Sequence, residues 1–494
     1  YKNMMTLQNI REALESVYRP NNNNPAFDII GFDACLMSTL EVTNTLDGFA
    51  NYYCLSEETE PGDGWDYTPW LQALSDNPSM SPAQVARAVA DSYMDYYMAM
   101  NVKVPQLQND VTFSVIQAQK ASELYRAYCS LAEAQLRDAA EDISVLAEIG
   151  KCGRRATHYG GSAYNIYNSI DLGNYADYMS DSYPEECAAI RDLIGEAVLY
   201  HRECGALSDS TGIAVYLPTE VRTIDGLVQY LKYVYNVSQD DAITALYYYK
   251  QAGCLTPEMK EYVATLTDVE PATLDVTPFR EFTSLKAEYL STGFRIPVSE
   301  QLQNAVTDYQ LLVGRYDEDS DFVTYYGYDE SVFFDGEGML VNDFDGTWIT
   351  LGNEPLYVEI VSSTASAVEY RAHVKYDGSE AYLMISRNRD TDELAITGIR
   401  MVPEDPDINY LYSTRTNNAV EIGANIIPLY EEYSYQYNTS RTAEGNKITF
   451  SDRTALELRP LPDGYYLSAA VISDQRGDRY YSAVAGSAMV RGGM

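Results

Sequence analysis

The chain has 494 residues, 46% apolar and 22% charged; at roughly 100–200 residues per domain it has room for several buried cores, and its apolar share excludes wholesale disorder. Asp and Glu number 73 against 34 Lys and Arg, a formal net charge of −39 that repels phosphate backbones and argues against nucleic-acid partners, while attracting cations and basic peptides. No apolar run approaches the ~18 residues of a membrane-spanning helix, so the expectation is a soluble chain without a membrane span.

In chain order, Thr6 can cap a helix to about Tyr18, because Leu7, Ile10, Leu14 and Val17 share one face. The short apolar run Phe27-Asp28-Ile29-Ile30-Gly31-Phe32 reads as a buried strand. Asp33-Ala34-Cys35 then leads into a helical pattern with Leu36, Leu40 and Val42, and Tyr52–Leu55 reads as a second strand. A polar loop rich in Gly and Pro follows, from Ser56 to Tyr67. Ser81-Pro82 opens a long helix whose last turn holds Tyr96, Tyr97 and Met98. Val111–Ile116 predicts a strand, Gln119 to about Ala147 a helix, and Ile213–Leu217 a strand that Pro218 stops. Further helices are expected near Leu227–Tyr235 and Asp241–Gln251.

From about Thr267 the pattern shifts to short alternating runs such as Leu356–Val361, Tyr382–Ser386, Ile448–Phe450 and Tyr465–Ile472. Turns such as Asp335-Gly336, Asp377-Gly378 and Asp463-Gly464 punctuate them. The fold class expected is therefore an α/β region over residues 1–255 followed by an all-β, sandwich-like region over 256–494, in one or two modules. The 45 Tyr, against 12 Phe and 3 Trp, suit half-wet positions on exposed β-structure and helix flanks.

Seven cysteines are scattered without a CxxC pair, which argues against a disulfide scaffold and against a zinc ribbon. Cys35 stands apart by position. It lies at the carboxyl end of a strand, the edge where open α/β sheets bind ligands. At the start of a helix its thiolate would also be stabilised by the backbone N–H groups. The bland alternative is a buried structural thiol.

At this segment the chain resembles the clostripain family of cysteine peptidases. Phe27-Asp28-Ile29-Ile30-Gly31-Phe32-Asp33-Ala34-Cys35-Leu36-Met37 is similar to the family's catalytic-cysteine strand. The loop Glu57-Glu58-Thr59-Glu60-Pro61-Gly62-Asp63-Gly64-Trp65-Asp66-Tyr67 follows at the family's distance. Weaker matches are Tyr164-Asn165 through Asp171-Leu172, and Gly212 to Pro218. The resemblance implies a caspase-like open sheet flanked by helices, a Cys–His dyad with Cys35 as nucleophile and oxyanion N–H donor, and cleavage after Arg or Lys. It implies that Asp33 and Asp63 receive the substrate's basic side chain, where the alternatives are a helix cap for Asp33 and a plain turn residue for Asp63. Glu57, Glu58 and Glu60 are expected as rim charges that steer basic substrates, and Trp65 and Tyr67 as loop anchors.

The family's histidine lies upstream of the cysteine, and none of the 34 residues before Cys35 is His. His158, in a loop-like setting, His201, on a helix, and His373, on a tail strand, are expected to be structural. The start at Tyr1, with no Met or leader, predicts a heavy chain cut from a precursor just before Tyr1. The missing piece, an N-terminal light chain, would be this chain's partner and carry the His and the export signal, placing the protein outside the cell or on its surface. The chemistry requires no cofactor. Calcium is possible by resemblance, although Asp317-Glu318-Asp319-Ser320-Asp321 and Asp343-Phe344-Asp345-Gly346 lack EF-hand spacing. The competing reading is a non-catalytic caspase-like scaffold whose β-rich tail binds a ligand or a surface.

Overall fold

The computed structural model describes residues 7–103, 109–142, 144–160, 169–205, 207–217, 276–290, 293–402, 418–474 and 478–489. They fall into two compact units that meet in sequence at Thr273 and Leu274. The expected helices over 227–251 and the segment around Tyr164 lie outside the described residues.

The N-terminal unit runs α1 (Leu7–Glu15), β1 (Phe27–Gly31), α2 (Leu40–Thr45), β2 (Ala50–Leu55), α3 (Tyr67–Asp76), α4 (Pro82–Lys103) and β3 (Val111–Gln117). It continues with α5 (Ala118–Glu141), α6 (Ser144–Arg155), β4 (His158–Tyr159), β5 (Ser169–Asp171), α7 (Leu172–Met179), α8 (Pro184–Ala197), β6 (Val198–Cys204) and β7 (Ala214–Tyr216). Four strands form a sheet in the order β1-β2-β3-β6. β1 runs parallel to β2, and the other two pairings are antiparallel. Strand alternation sends Cys54, Val111, Phe113 and Val115 to the face that α4 covers, and Tyr53, Leu55 and Ile116 to the core built with α5 and α8. Both faces are thus covered. β4, β5 and β7 make a second, antiparallel sheet.

Local chemistry fixes where the helices begin. Ser81 and Gln84 form a reciprocal capping box, with Gln84 N–H on Ser81 Oγ (3.3 Å) and Ser81 N–H on Gln84 Oε1 (2.8 Å), and Pro82 opens α4. Thr39 caps α2, Asp66 caps α3 and Asp171 caps α7.

Several expectations need correction. β1 is an edge strand and only partly buried, since among the described residues it pairs on one side alone, with β2. The helix expected over 119–147 breaks at Asp142, which adopts extended backbone and ends α5. His201 lies in strand β6, opposite Ser114 of β3, and not on a helix, because the helical run before it ends at Ala197. His158 forms the short strand β4 rather than a loop.

Among its described residues the C-terminal unit is all-β apart from two six-residue helices, Thr277–Phe282 and Glu300–Ala305. Its largest sheet has twelve strands and branches. Strand Asn425–Ser434 pairs with both Phe322–Asp329 and Ala367–Tyr376, and these connect again through Val358–Ser363, so four strands close into a ring. Closure needs Gly327 at φ +108°, since a Cβ there would lie 1.9 Å from the Val358 carbonyl oxygen.

Candidate active site

At the carboxyl end of β1 the chain bends along the loop that leaves β2. Phe32 N–H donates to Cys54 O, Leu36 N–H to Glu58 O, and Ser38 N–H to Ser56 O. Cys35 sits within this run and is partly exposed. Its sulfur accepts from Glu60 N–H at 3.3 Å and lies 3.6 Å from Glu60 O. The helix that follows starts only at Leu40, capped by Thr39. Cys35 is therefore not at a helix N-terminus, and Asp33 is not a helix cap, contrary to two sequence readings. Instead, Leu36 takes a positive φ of 62° just after the thiol, an uncommon conformation for a non-glycine residue that clusters at functional sites.

The Glu57–Tyr67 loop closes on the same place. Asp33 Oδ2 accepts from Tyr67 OH (3.0 Å) and Trp65 N–H (3.3 Å). Gly64 passes so close that a Cβ there would lie 2.7 Å from Asp33 Oδ1. Asp63, the next residue back, accepts from Tyr96 OH at 2.8 Å. Tyr97 OH donates to Gly64 O at 3.0 Å, so α4 supports the loop from beneath. The Glu57–Tyr67 loop thus meets Cys35 through Glu60 and Asp33 through Trp65 and Tyr67, while its Asp63 carboxylate is held by Tyr96. Asp33 and Asp63 are exposed rather than buried. Tyr96 and Tyr97 went unrecognised as site residues, although Tyr93, Tyr96 and Tyr97 share one helix face at i, i+3 and i+4.

The clostripain family model matches residues 1–252. The chain belongs to the clostripain family of cysteine peptidases. No curated protein matches it. Among solved structures it is similar to a secreted C11 cysteine protease from Bacteroides thetaiotaomicron, bound to an irreversible peptide inhibitor, at 21% identity and TM-score 0.33, covering 49% of this chain and 64% of that one. A B. fragilis cysteine protease aligns at 18% identity and TM-score 0.32, covering 49% and 95%. An inactive zymogen C11 protease from Parabacteroides distasonis aligns at 18% and 0.32, covering 45% and 60%.

Within this clostripain-family chain the described thiols differ sharply. All six are free, and Cys54, Cys129, Cys152 and Cys187 are buried. Burial pushes Cys54, Cys152 and Cys187 up to about 12 and Cys204 up to about 11, which leaves them almost wholly protonated at neutral pH. Cys204 also donates to Asn109 O at 3.2 Å.

Among the described residues no histidine hydrogen-bonds Cys35. His201 Nδ1 lies 3.0 Å from Ser114 Oγ and 3.9 Å from Glu57 Oε2, and burial pushes its pKa down to about 4, so the ring is neutral. His373 belongs to the C-terminal unit, stacked on Tyr382.

The three glutamates expected on the rim are buried instead. Glu57 Oε1 accepts from Gly212 N–H (3.2 Å); burial, with Asp171 nearby, raises its pKa well above the carboxylate range. Glu58 Oε1 accepts from Thr59 N–H (2.6 Å) and Gly160 N–H (2.9 Å), and burial pushes it up to about 7. Burial and Asp33 push Glu60 up to about 8. Thr112 Oγ1 on β3 accepts from both Glu57 and Glu58 N–H and so holds the start of the loop against that strand, a long-range tie that no local pattern reveals.

No cluster of three or more His, Cys, Asp or Glu is arranged to hold a metal ion among the described residues. Asp317 serves its own turn, accepting from Asp319 N–H and Ser320 Oγ, which hold its pKa down. No described helix is long and apolar enough to cross a membrane.

Proposed function

We propose that this peptidase is an endopeptidase that cleaves after Arg or Lys, with Cys35 as its nucleophile. The supporting observation is that one loop, Glu57–Tyr67, meets the partly exposed Cys35 thiol through Glu60 and the exposed Asp33 carboxylate through Trp65 and Tyr67, and itself carries the exposed Asp63. A guanidinium or ammonium group entering there meets two acids, whereas an acidic side chain meets like charge. Cys35 attacks the scissile carbonyl to give a thioester, the amine leaves, and water hydrolyses the acyl-enzyme. The Cys35 N–H is the candidate donor to the oxyanion.

The base is a histidine on an upstream light chain of the same precursor, within a caspase-like arrangement. Two observations support this. Cys35 has no histidine partner among the described residues, and the outer edge of β1 offers an apolar strand, Phe27–Gly31, a place to pair. A self-processing enzyme of this specificity would leave Lys or Arg at the end of the companion chain, just before Tyr1, and export of the precursor would place the pair outside the cell. Mass spectrometry of protein made from the complete gene checks that ending; a Glu or Leu there would contradict self-processing.

The test of the specificity is kcat/KM for peptides differing only at the residue before the cut. Arg or Lys should exceed Asp or Leu by at least about 100-fold. Asp33→Asn or Asp63→Asn should each cost basic substrates about 10–100-fold, the worth of a charge-assisted contact of about 1.5–3 kcal/mol. Equal loss on neutral substrates would refute the role of the two acids.

A further inference from the structure

Glu60 stands between the nucleophile and the pocket. Its backbone N–H and C=O bracket the Cys35 sulfur. Its side chain is only 6% exposed. Oε1 accepts from the Trp65 indole N–H at 3.2 Å, but Oε2 is buried and receives no donor, and the Asp33 carboxylate lies close enough to accept the proton Glu60 keeps. The groups facing it are Asp33 on the segment after β1, Cys35, Trp65 and Tyr67 on the loop, and Tyr93 and Tyr97 on α4. None of these is a cation. Glu58 is equally buried, yet its Oε1 accepts from two backbone N–H groups. Glu60 Oε2 therefore receives no donor, and the charged group beside the carboxyl is Asp33.

We propose that Glu60 is a specificity-determining residue, a third carboxyl beneath Asp33 that keeps its proton while the pocket is empty and releases it to solvent when the substrate's basic side chain enters. The proposal rests on the reading of the pocket as specific for Arg or Lys. The step balances: the protonated carboxyl and the incoming cation become an ion pair, and one proton goes to water. Burial and the Asp33 charge favour the protonated form in the empty site, up to about pH 8. A cation within about 4–6 Å lowers a carboxyl pKa by about 1–3 units, enough to ionise Glu60 near neutrality. The negative charge is then complete only around a cation. Below pH 8 the affinity for a basic side chain should rise about tenfold per pH unit over the interval between the bound and empty pKa values, and level off above it.

Calorimetry of benzamidine binding at pH 7, in phosphate and in Tris, counts the protons released, with peptidase made from its complete gene. Wild type should release between about half and one proton, with affinity tightening at least about fivefold from pH 6 to 8. Glu60→Gln should release at least half a proton less and show little pH dependence. Trp65→Phe, which removes the N–H that favours ionised Glu60, should move the midpoint of release to higher pH. Equal release by wild type and Glu60→Gln, or none by wild type, overturns the proposal while leaving the basic pocket intact. Failure of benzamidine to bind at any pH overturns both.

Discussion

Replacing Glu58 by Gln is expected to stabilise the N-terminal unit at pH 8 and to leave it nearly unchanged at pH 5. Glu58 is 9% exposed, and burial pushes its pKa from 4.5 up to about 7. Between those values the folded chain holds a proton that the unfolded chain has lost, so stability falls as pH rises through the window and the deficit is constant above it. At 1.36 kcal/mol per pKa unit the full deficit is about 3 kcal/mol, of which roughly 2–3 kcal/mol develops between pH 5 and 8. Gln resembles the protonated acid, and its Oε1 can still accept from Thr59 and Gly160 N–H. The assay is urea unfolding at both pH values, read by tryptophan fluorescence. The C-terminal unit is common to both proteins, so the difference between their curves reports on the first unit. An offset equal at both pH values, or a variant less stable at pH 8, would refute the argument that Glu58 is ionised at a cost.

Other outcomes follow from the same geometry. Gly160→Ala places a methyl 2.7 Å from Leu36 Cδ1 at a backbone φ of +69°; strain and overpacking together should cost about 2–4 kcal/mol in unfolding experiments and lower kcat, since Leu36 follows the nucleophile. His201 is held neutral with its pKa pushed down to about 4. The unfolded chain therefore takes up its proton first, and stability is lost as pH falls from about 6.5 to 4, by up to about 3 kcal/mol. His201→Gln should flatten that acid limb, and an unchanged limb would assign it to other groups. Cys204→Ser should retain most activity while Cys35→Ala should lose at least about 1,000-fold, measured as kcat/KM on an Arg-containing peptide.

The strand–bend–loop framework was legible because it depends on local features: an apolar five-residue run, a Gly- and Pro-rich loop, and a Ser-Pro helix start. Cys35, Asp33 and Asp63 were singled out by motif resemblance, and the loop that carries Asp63 meets both Cys35 and Asp33. What the sequence hid was set by distant residues. Glu57, Glu58 and Glu60 look like surface charge until Thr112, on another strand, draws the loop inward. Cys35 seemed to begin a helix because Leu36, Leu40 and Val42 keep helical spacing, yet Leu36 turns left-handed beside Glu58 and Gly160. His201 read as helical because the apolar period of α8 runs on past Ala197, where pairing with β3 takes over. In the tail, alternation showed strands but not that Gly327 lets them close into a ring.

The most direct measurement of the central claim is covalent labelling of peptidase made from its complete gene with a peptidyl chloromethyl ketone carrying Arg beside the reactive carbon, followed by peptide mapping. The account predicts a single adduct on Cys35, complete loss of activity, and at least 100-fold slower labelling when Asp replaces Arg in the reagent. An adduct on another cysteine, or equal rates with Arg and Asp, would contradict it.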